Sequence, residues 1–167
     1  MTTNLYTHPI CVEHDMGQGH PECPERLRVI MQALGTVAFD GLVRVEAPKA
    51  TFDEIATMHP MDHIQKIMAS IPSSGLAQLD GDTSVCPQSG EAALRAAGGV
   101  IAAVHAVMDG GADNAFCALR PPGHHAEPSE VMGFCVFNNV AIGAAYARDH
   151  CGAKRVAVVD FDVHHGN

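Results

Sequence analysis

The last twelve residues of the chain, VAVVDFDVHHGN, constrain its fold more than any other stretch. Residues 156–159 are small and β-branched apolar side chains, a pattern typical of a strand buried on both faces of a parallel sheet. Asp160, Asp162 and His164 then follow at alternate positions, and alternate side chains of an extended backbone point to the same side. The pattern predicts a buried strand whose carboxyl end carries a polar cluster.

Two carboxylates and an imidazole on one side of a strand end are suitable ligands for a hard or borderline metal ion. The alternative interpretation is a solvated strand end whose charges face water. This stretch taken alone does not decide between the two.

A second polar cluster lies in RPPGHHAEPSEVMGFCVFNN, residues 120–139. The adjacent histidines His124 and His125 follow an apolar run at 115–119, which predicts another strand. The Pro-Pro-Gly turn before them predicts a loop at the end of that strand. Because ligands in open α/β sheets bind beyond the carboxyl ends of the strands, we expect both clusters to meet at one edge of the sheet.

Strands and helices alternate along the rest of the chain, which indicates an α/β protein with a parallel sheet between two layers of helices. A capping box of Thr51 and Glu54 opens one helix, and Ser89 is predicted to cap the longest. The predicted strands are 5–10, 42–47, 115–119 and 156–159, about four in all, and the predicted helices are 26–34, 51–58, 60–68, 89–108 and 136–149.

Composition and net charge disfavour several classes of protein, including membrane-spanning, secreted and nucleic-acid-binding ones. A chain of 167 residues, 47% of them hydrophobic, suits one globular domain. No apolar run approaches the ~20 residues of a membrane span, and no signal peptide is visible. Six scattered cysteines are then expected to be reduced thiols of a cytoplasmic protein. A net charge of −9 disfavours direct binding to nucleic acid and is compatible with a cationic substrate or with ordinary solubility.

His59 and His63 are four residues apart and could share a helix face as metal ligands. Pro60 separates them and no carboxylate motif accompanies them, so the sequence disfavours this second metal site. His14 and His20 are predicted to be ordinary loop histidines, because no ligand spacing joins them.

Together with HDMGQGHPECPERLRVI at 14–30 and the stretch at 81–104, these motifs resemble the histone deacetylase superfamily. The similarity is greatest to its class II and bacterial amidohydrolase branch, which includes acetylpolyamine amidohydrolases. It extends over nearly the whole chain. It implies an arginase/deacetylase-like fold, in which the first three strands lie in the order 2-1-3 and the fourth lies apart from the third. It also implies zinc-dependent removal of acetyl groups from lysine side chains or polyamines.

The resemblance implies a role for each catalytic residue. His125 matches the general base and acid, which takes a proton from the attacking water and returns it to the leaving amine. His124 matches the second histidine, which supplies positive charge near the transition state. Asp160 is the implied partner of His124, and Asn167, an asparagine as in the class II branch, is the implied partner of His125.

The resemblance also implies metal and substrate contacts. Asp162 and His164 match zinc ligands, and Asp160 matches a ligand of a potassium site. Gly133 and Phe134 match the acyl-lysine tunnel, although core packing is the alternative for Phe134. Arg26 matches a position beside a channel for acetate release, and bracing of its own loop is the alternative.

The chain is about half as long as this resemblance leads one to expect. In the family, a third zinc ligand and a tyrosine that polarises the substrate carbonyl come later in the sequence. We therefore interpret residues 1–167 as the N-terminal part of a single deacetylase domain, inactive or weak by itself. A non-catalytic remnant that binds partners is the main alternative, and an arginase-like dimanganese hydrolase is a more distant one.

Overall fold

The computed structural model describes residues 1–167 and contains five strands and six α-helices. A single turn of 3-10 helix, Val37–Phe39, precedes the second strand. In chain order the elements are Thr3–Thr7 (β1), Ile10–Glu13 (α1), Pro24–Leu34 (α2), Val43–Glu46 (β2), Phe52–Ile55 (α3), Met61–Ala69 (α4), Ala77–Gln78 (β3), Ser84–Val85 (β4), Ser89–Met108 (α5), Asn114–Cys117 (β5) and Asn139–Asp149 (α6).

The main sheet contains three parallel strands in the order β2-β1-β5. This order confirms the predicted adjacency of the first three long strands. β3 and β4 form a separate two-stranded antiparallel hairpin, which lies outside the predicted strands and helices. The α/β architecture is confirmed, and its sheet places the loop after β5 at the carboxyl edge, where ligands bind in such folds.

The core lies mainly between α5 and the helices packed on it. Its larger cluster includes Ile64, Ala97 and Ile142, and a smaller one around Leu5 lies under α1 and α2. Small residues let α5 pack closely against the backbone at 48–50. A Cβ added at Gly98 would lie 2.2 Å from the Pro48 carbonyl oxygen. The Ala/Gly-rich composition of this helix is therefore explained by backbone packing.

The α5 helix is long and apolar enough, by length and composition alone, to cross a membrane. This differs from the expectation that no run approaches a membrane span. In the fold, Ala93 and Ile101 belong to the core. Arg95 on the same helix donates to the Ala47 carbonyl at 2.7 Å. Buried apolar residues beside a bonded arginine are typical of the core helix of a globular domain.

Some predicted boundaries are corrected. The first strand ends at Thr7 instead of continuing to residue 10, because α1 begins after Pro9. Ser89 is not the cap of α5: Gln88 occupies that position, and the Ser89 hydroxyl instead accepts from the Cys86 N–H at 2.8 Å. The Thr51 capping box is confirmed, although its helix ends at Ile55 rather than at residue 58.

The predicted helices at 60–68 and 136–149 are also present with shifted starts. Pro60 is the residue before α4 rather than its first residue. α6 begins at Asn139 because the Asn138 side chain caps it, accepting from the Ala141 N–H at 3.1 Å. All six cysteines are unpaired, as expected.

The prediction of a strand at 156–159 is wrong for this chain. The segment has no strand structure, and no backbone hydrogen bond joins it to β5. Val158 is 55% exposed and Val159 84% exposed. A doubly buried strand depends on ladder partners on both sides. No strand lies beside this segment, so its apolar residues stay in contact with solvent.

Candidate active site

His124 and Asp160 are brought together from two different loops. His124 follows β5, and its Nδ1 lies 2.8 Å from the Asp160 Oδ2. This hydrogen bond holds the pKa of the Asp160 carboxyl below its usual value. An ionised carboxylate can only accept, so Nδ1 of His124 carries the hydrogen and Nε2 is left for the cavity. The expected contact between these two residues is therefore present.

His125 has a neutral partner. Its Nδ1 lies 3.3 Å from the Asn167 Oδ1, while the Asn167 Nδ2 donates to the His125 carbonyl at 3.0 Å. The Asn167 backbone N–H donates to the His124 carbonyl, also at 3.0 Å. The two histidine rings lie 4.0 Å apart between centroids. Asn167 thus fixes both histidines from behind.

Asp162 and His164 face each other beside the histidines. The Asp162 Oδ1 accepts the His164 backbone N–H at 2.9 Å and lies 3.2 Å from the His164 Nδ1. The backbone hydrogen bond from His164 is the main reason that the pKa of Asp162 is lowered.

The Asp162 Oδ1 and the His164 Nδ1 are suitable zinc-ligand atoms, both in their chemistry and in their spacing. Zinc bonds of about 2.0–2.2 Å put tetrahedral neighbours roughly 3.4 Å apart, close to the observed separation. No group of three or more metal-binding side chains is formed. The arrangement therefore fits part of a zinc site, in which these two side chains could serve as ligands.

A cavity of about 790 Å³ joins these groups. All predicted site residues line it except Asp160 and Asn167, which lie behind the histidines. The members of the predicted set that line the cavity are His124, His125, Asp162, His164, Gly133, Phe134 and Arg26.

Gly133 and Phe134 form one wall of the cavity beside His125. Gly133 has a φ of +54°, and a Cβ added there would lie 2.5 Å from the His125 Cδ2. Only glycine therefore lets the backbone lie flat against this ring. Phe134 has a φ of 70°, and its ring meets the edge of His20 at 4.7 Å between centroids.

One buried arginine of the site, which forms several hydrogen bonds, was not predicted from the sequence. Arg120 is buried and forms two hydrogen bonds to the Glu22 carboxylate. It also donates to the carbonyls of Cys11 and His14, each at 2.9 Å. The signal was an arginine that directly follows a predicted strand, where a charge that becomes buried is costly unless it is paired. Arg26, by contrast, is exposed on the cavity wall.

Several histidines outside this cluster have structural partners. The His59 Nδ1 donates to the Pro128 carbonyl at 3.0 Å, and its Nε2 accepts from the Asn138 N–H at 2.9 Å. Both ring nitrogens are thus occupied, so His59 and His63 do not form a metal site. His14 lies in a loop, as predicted, but its side chain is fully buried with its Nδ1 2.7 Å from the Ser89 hydroxyl.

A parallel sheet with tandem histidines, each paired with an acid or an amide, defines an α/β protein of the arginase/deacetylase class. The model of the histone deacetylase domain matches residues 20–167. The chain therefore belongs to the histone deacetylase family.

Individual relatives and a solved structure agree with this family assignment. The chain is 38% identical over 157 residues to a histone deacetylase-like amidohydrolase of Pseudomonas aeruginosa, covering 93% of this chain and 41% of that protein. It is 34% identical to a probable deacetylase of Archaeoglobus fulgidus, covering 100% of this chain and 46% of the relative. The crystal structure of the HDA15 HD domain superposes with a TM-score of 0.94 at 33% identity, covering 99% of this chain and 48% of that one. The chain thus spans about half, or less, of these relatives.

Proposed function

We propose that residues 1–167 supply the tandem-histidine half of a zinc-dependent deacetylase that acts on an acetylated amine, either acetyl-lysine or an acetylpolyamine. The observation that carries this proposal is the convergence of three pairs in or behind one cavity. The pairs are His124 with Asp160, His125 with Asn167, and Asp162 with His164.

The two histidines are proposed to divide the proton chemistry. The neutral Asn167 amide fixes the tautomer of His125 without adding negative charge, which leaves its Nε2 free to accept a proton from the attacking water. The Asp160 carboxylate instead accepts the Nδ1 hydrogen of His124 and places negative charge beside that ring. A protonated His124 would stabilise the negative charge that develops on the acyl oxygen.

Asp162 and His164 are proposed to hold the zinc ion. When bound, zinc would act as a Lewis acid toward the acyl carbonyl. Both oxygens of Asp160 are already engaged, by His124 and by the Asp162 N–H at 3.1 Å, so its part in a potassium site remains a prediction. A cytoplasmic location also remains a prediction.

Substrate would enter along the wall formed by Gly133 and Phe134. The glycine allows close approach of the backbone, and the phenyl ring offers an apolar face to an aliphatic stem. The chain carries a net charge of −9, which is compatible with a polyamine or a lysine-rich substrate. Both present an acetylated amine on an alkyl chain, so the same wall suits either substrate.

The experiment compares residues 1–167 alone with the same residues joined to the C-terminal part of the Pseudomonas relative. We expect zinc-dependent, chelator-sensitive deacetylation of an acetyl-lysine peptide and of acetylspermidine only by the joined protein. His125→Ala in that protein should lower kcat by about 10²–10⁴ with zinc retained, and Asp162→Ala should lose the zinc.

The principal alternative is a non-catalytic binding module. Zinc uptake by the joined protein without turnover would support that alternative. Loss of zinc in His125→Ala with retention in Asp162→Ala would contradict the proposed roles.

A further inference from the structure

The wall beside His125 is a tight turn with an unusual residue in it. The Met132 N–H donates to the Cys135 carbonyl at 3.4 Å, and the Cys135 N–H donates to the Met132 carbonyl at 2.9 Å. Gly133 and Phe134 lie between them with φ values of 54° and 70°. Two-residue hairpins with positive φ at both positions favour glycine or asparagine. Phe134 is the only residue other than glycine with a positive φ, so the turn needs an external brace.

Thr83 provides that brace. Its hydroxyl oxygen accepts the Phe134 backbone N–H at 3.1 Å, and its own hydrogen is donated to the Asp82 carboxylate at 3.0 Å. The Thr83 side chain is fully buried. Its backbone is fixed at both ends, since its N–H donates to the Asp80 carboxylate at 2.7 Å and its carbonyl accepts from the Leu79 N–H at 2.9 Å. The acceptor is therefore held in a fixed position.

His20 supports the same turn through the ring of Phe134. Its ring packs against Phe134, and its Nε2 donates to the Asp82 carbonyl at 3.1 Å. Its Nδ1 then accepts the Glu22 N–H at 3.1 Å, which fixes the tautomer. The segment from Asp80 to Thr83 thus holds both the backbone and the ring of Phe134.

We propose that Thr83 is a positioning residue that sets the distance between the Gly133-Phe134 wall and the His125 ring. Loss of its hydroxyl would let Phe134 leave the left-handed region, and Gly133 would move away from His125. Its effect on substrate rests on the proposed function, whereas its effect on the turn does not.

The turn itself is tested by amide hydrogen exchange of the full chain. The reporter is the Cys135 N–H, because it closes the turn without touching Thr83. We expect exchange at Cys135 to be roughly five- to tenfold faster in Thr83→Val, the change expected from one lost hydrogen bond. Thr83→Ser keeps the hydroxyl and should restore the original rate. Thr57→Val is the matched control, since the exposed Thr57 hydroxyl donates only to the Glu54 carbonyl.

Removing the strain should remove the need for the brace. In a Phe134→Gly background, glycine adopts the positive φ freely, so Thr83→Val should leave Cys135 exchange unchanged. An unchanged rate in Thr83→Val alone, or a Thr83→Ser rate equal to that of Thr83→Val, would overturn the inference. Global unfolding would be recognised by equal acceleration in α5.

The effect of Thr83 on substrate binding is tested by steady-state kinetics. The protein used is the zinc-loaded one in which residues 1–167 are joined to the C-terminal part of the Pseudomonas relative. Thr83→Val should raise KM for an acetyl-lysine peptide about tenfold with zinc content unchanged, and Thr83→Ser should restore it. Absence of chelator-sensitive deacetylation in the unmodified protein would reject the proposed function, and the exchange data would still decide the role of Thr83 in the turn. An active protein with an unaltered KM in Thr83→Val would reject the positioning role alone.

Discussion

The sheet and the segment at 156–167 both position residues of the same site, but the sheet is buried and the segment is exposed. Leu5 in β1 is fully buried between two neighbouring strands. In the C-terminal segment Phe161 is 97% exposed and Val163 92% exposed. Nevertheless Asp160 and Asn167, which flank these exposed residues, both bond to the tandem histidines. Polar side chains of this segment can therefore be paired while the apolar side chains between them stay exposed.

The difference shows that Asp160 and Asn167 are held at the site by hydrogen bonds between loops and not by a strand of the sheet. Breaking a buried ion pair such as Arg120 with Glu22 by removing one partner typically costs about 3–5 kcal/mol. Exposed pairs typically contribute about 0–1 kcal/mol. His124 and Asp160 are partly exposed, so their contact is expected to be closer to the weaker class. The sheet side of the site should then be rigid and the C-terminal side easily released.

The largest expected effect comes from breaking the buried pair. Arg120→Met leaves the Glu22 carboxylate buried without its cation, so the free energy of unfolding should fall by about 3–5 kcal/mol. The measurement is urea denaturation followed by circular dichroism. Arg28→Met is the matched control, because the Arg28 pair with Glu25 is exposed and should contribute less than about 1 kcal/mol. Equal losses in the two variants would contradict the contrast between buried and exposed regions.

A second prediction concerns the pH dependence of the buried side. Burial lowers the pKa of His14 from 6.5 to about 3. Between these values the unfolded chain binds a proton at His14 that the native state does not, so this contribution to stability rises with pH and is lost as pH falls below about 6.5. His14→Gln should reduce the slope of unfolding free energy between about pH 4 and pH 6 by up to about 1.4 kcal/mol per pH unit.

The control for His14→Gln is a substitution in the exposed C-terminal segment. His165→Gln, which changes an exposed ring in the C-terminal segment, should leave the slope nearly unchanged. A slope that is equal in His14→Gln and the unmodified chain would show that His14 is not held neutral by burial.

The smallest effect is expected in the exposed segment. Val158→Ala should change the free energy of unfolding by less than about 0.5 kcal/mol, since surface substitutions usually lie in that range. The same substitution at the fully buried Val85 should cost roughly 1.5–3 kcal/mol. A loss at Val158 that matches the loss at Val85 would mean that the segment is buried in solution.

The sequence predicted the parallel sheet from local patterns, and the resemblance to the histone deacetylases implied the contact of His124 with Asp160. It failed at 156–159 because four apolar residues specify a preference for burial, whereas the burial itself depends on neighbouring strands. It also missed Arg120 and Thr83. Their partners, Glu22 and Phe134, are 98 and 51 residues away, and no local spacing reveals such pairs.

The most direct test of the site is the imidazole proton of His124 observed by NMR at low temperature. If the half-site forms in this chain, Nδ1–H should give a downfield, slowly exchanging signal at neutral pH, since an ionised carboxylate accepts it. The signal should disappear in Asp160→Asn and persist in Asp162→Asn. Absence of the signal in the unmodified chain, or its persistence in Asp160→Asn, would contradict a preformed pairing of His124 with Asp160.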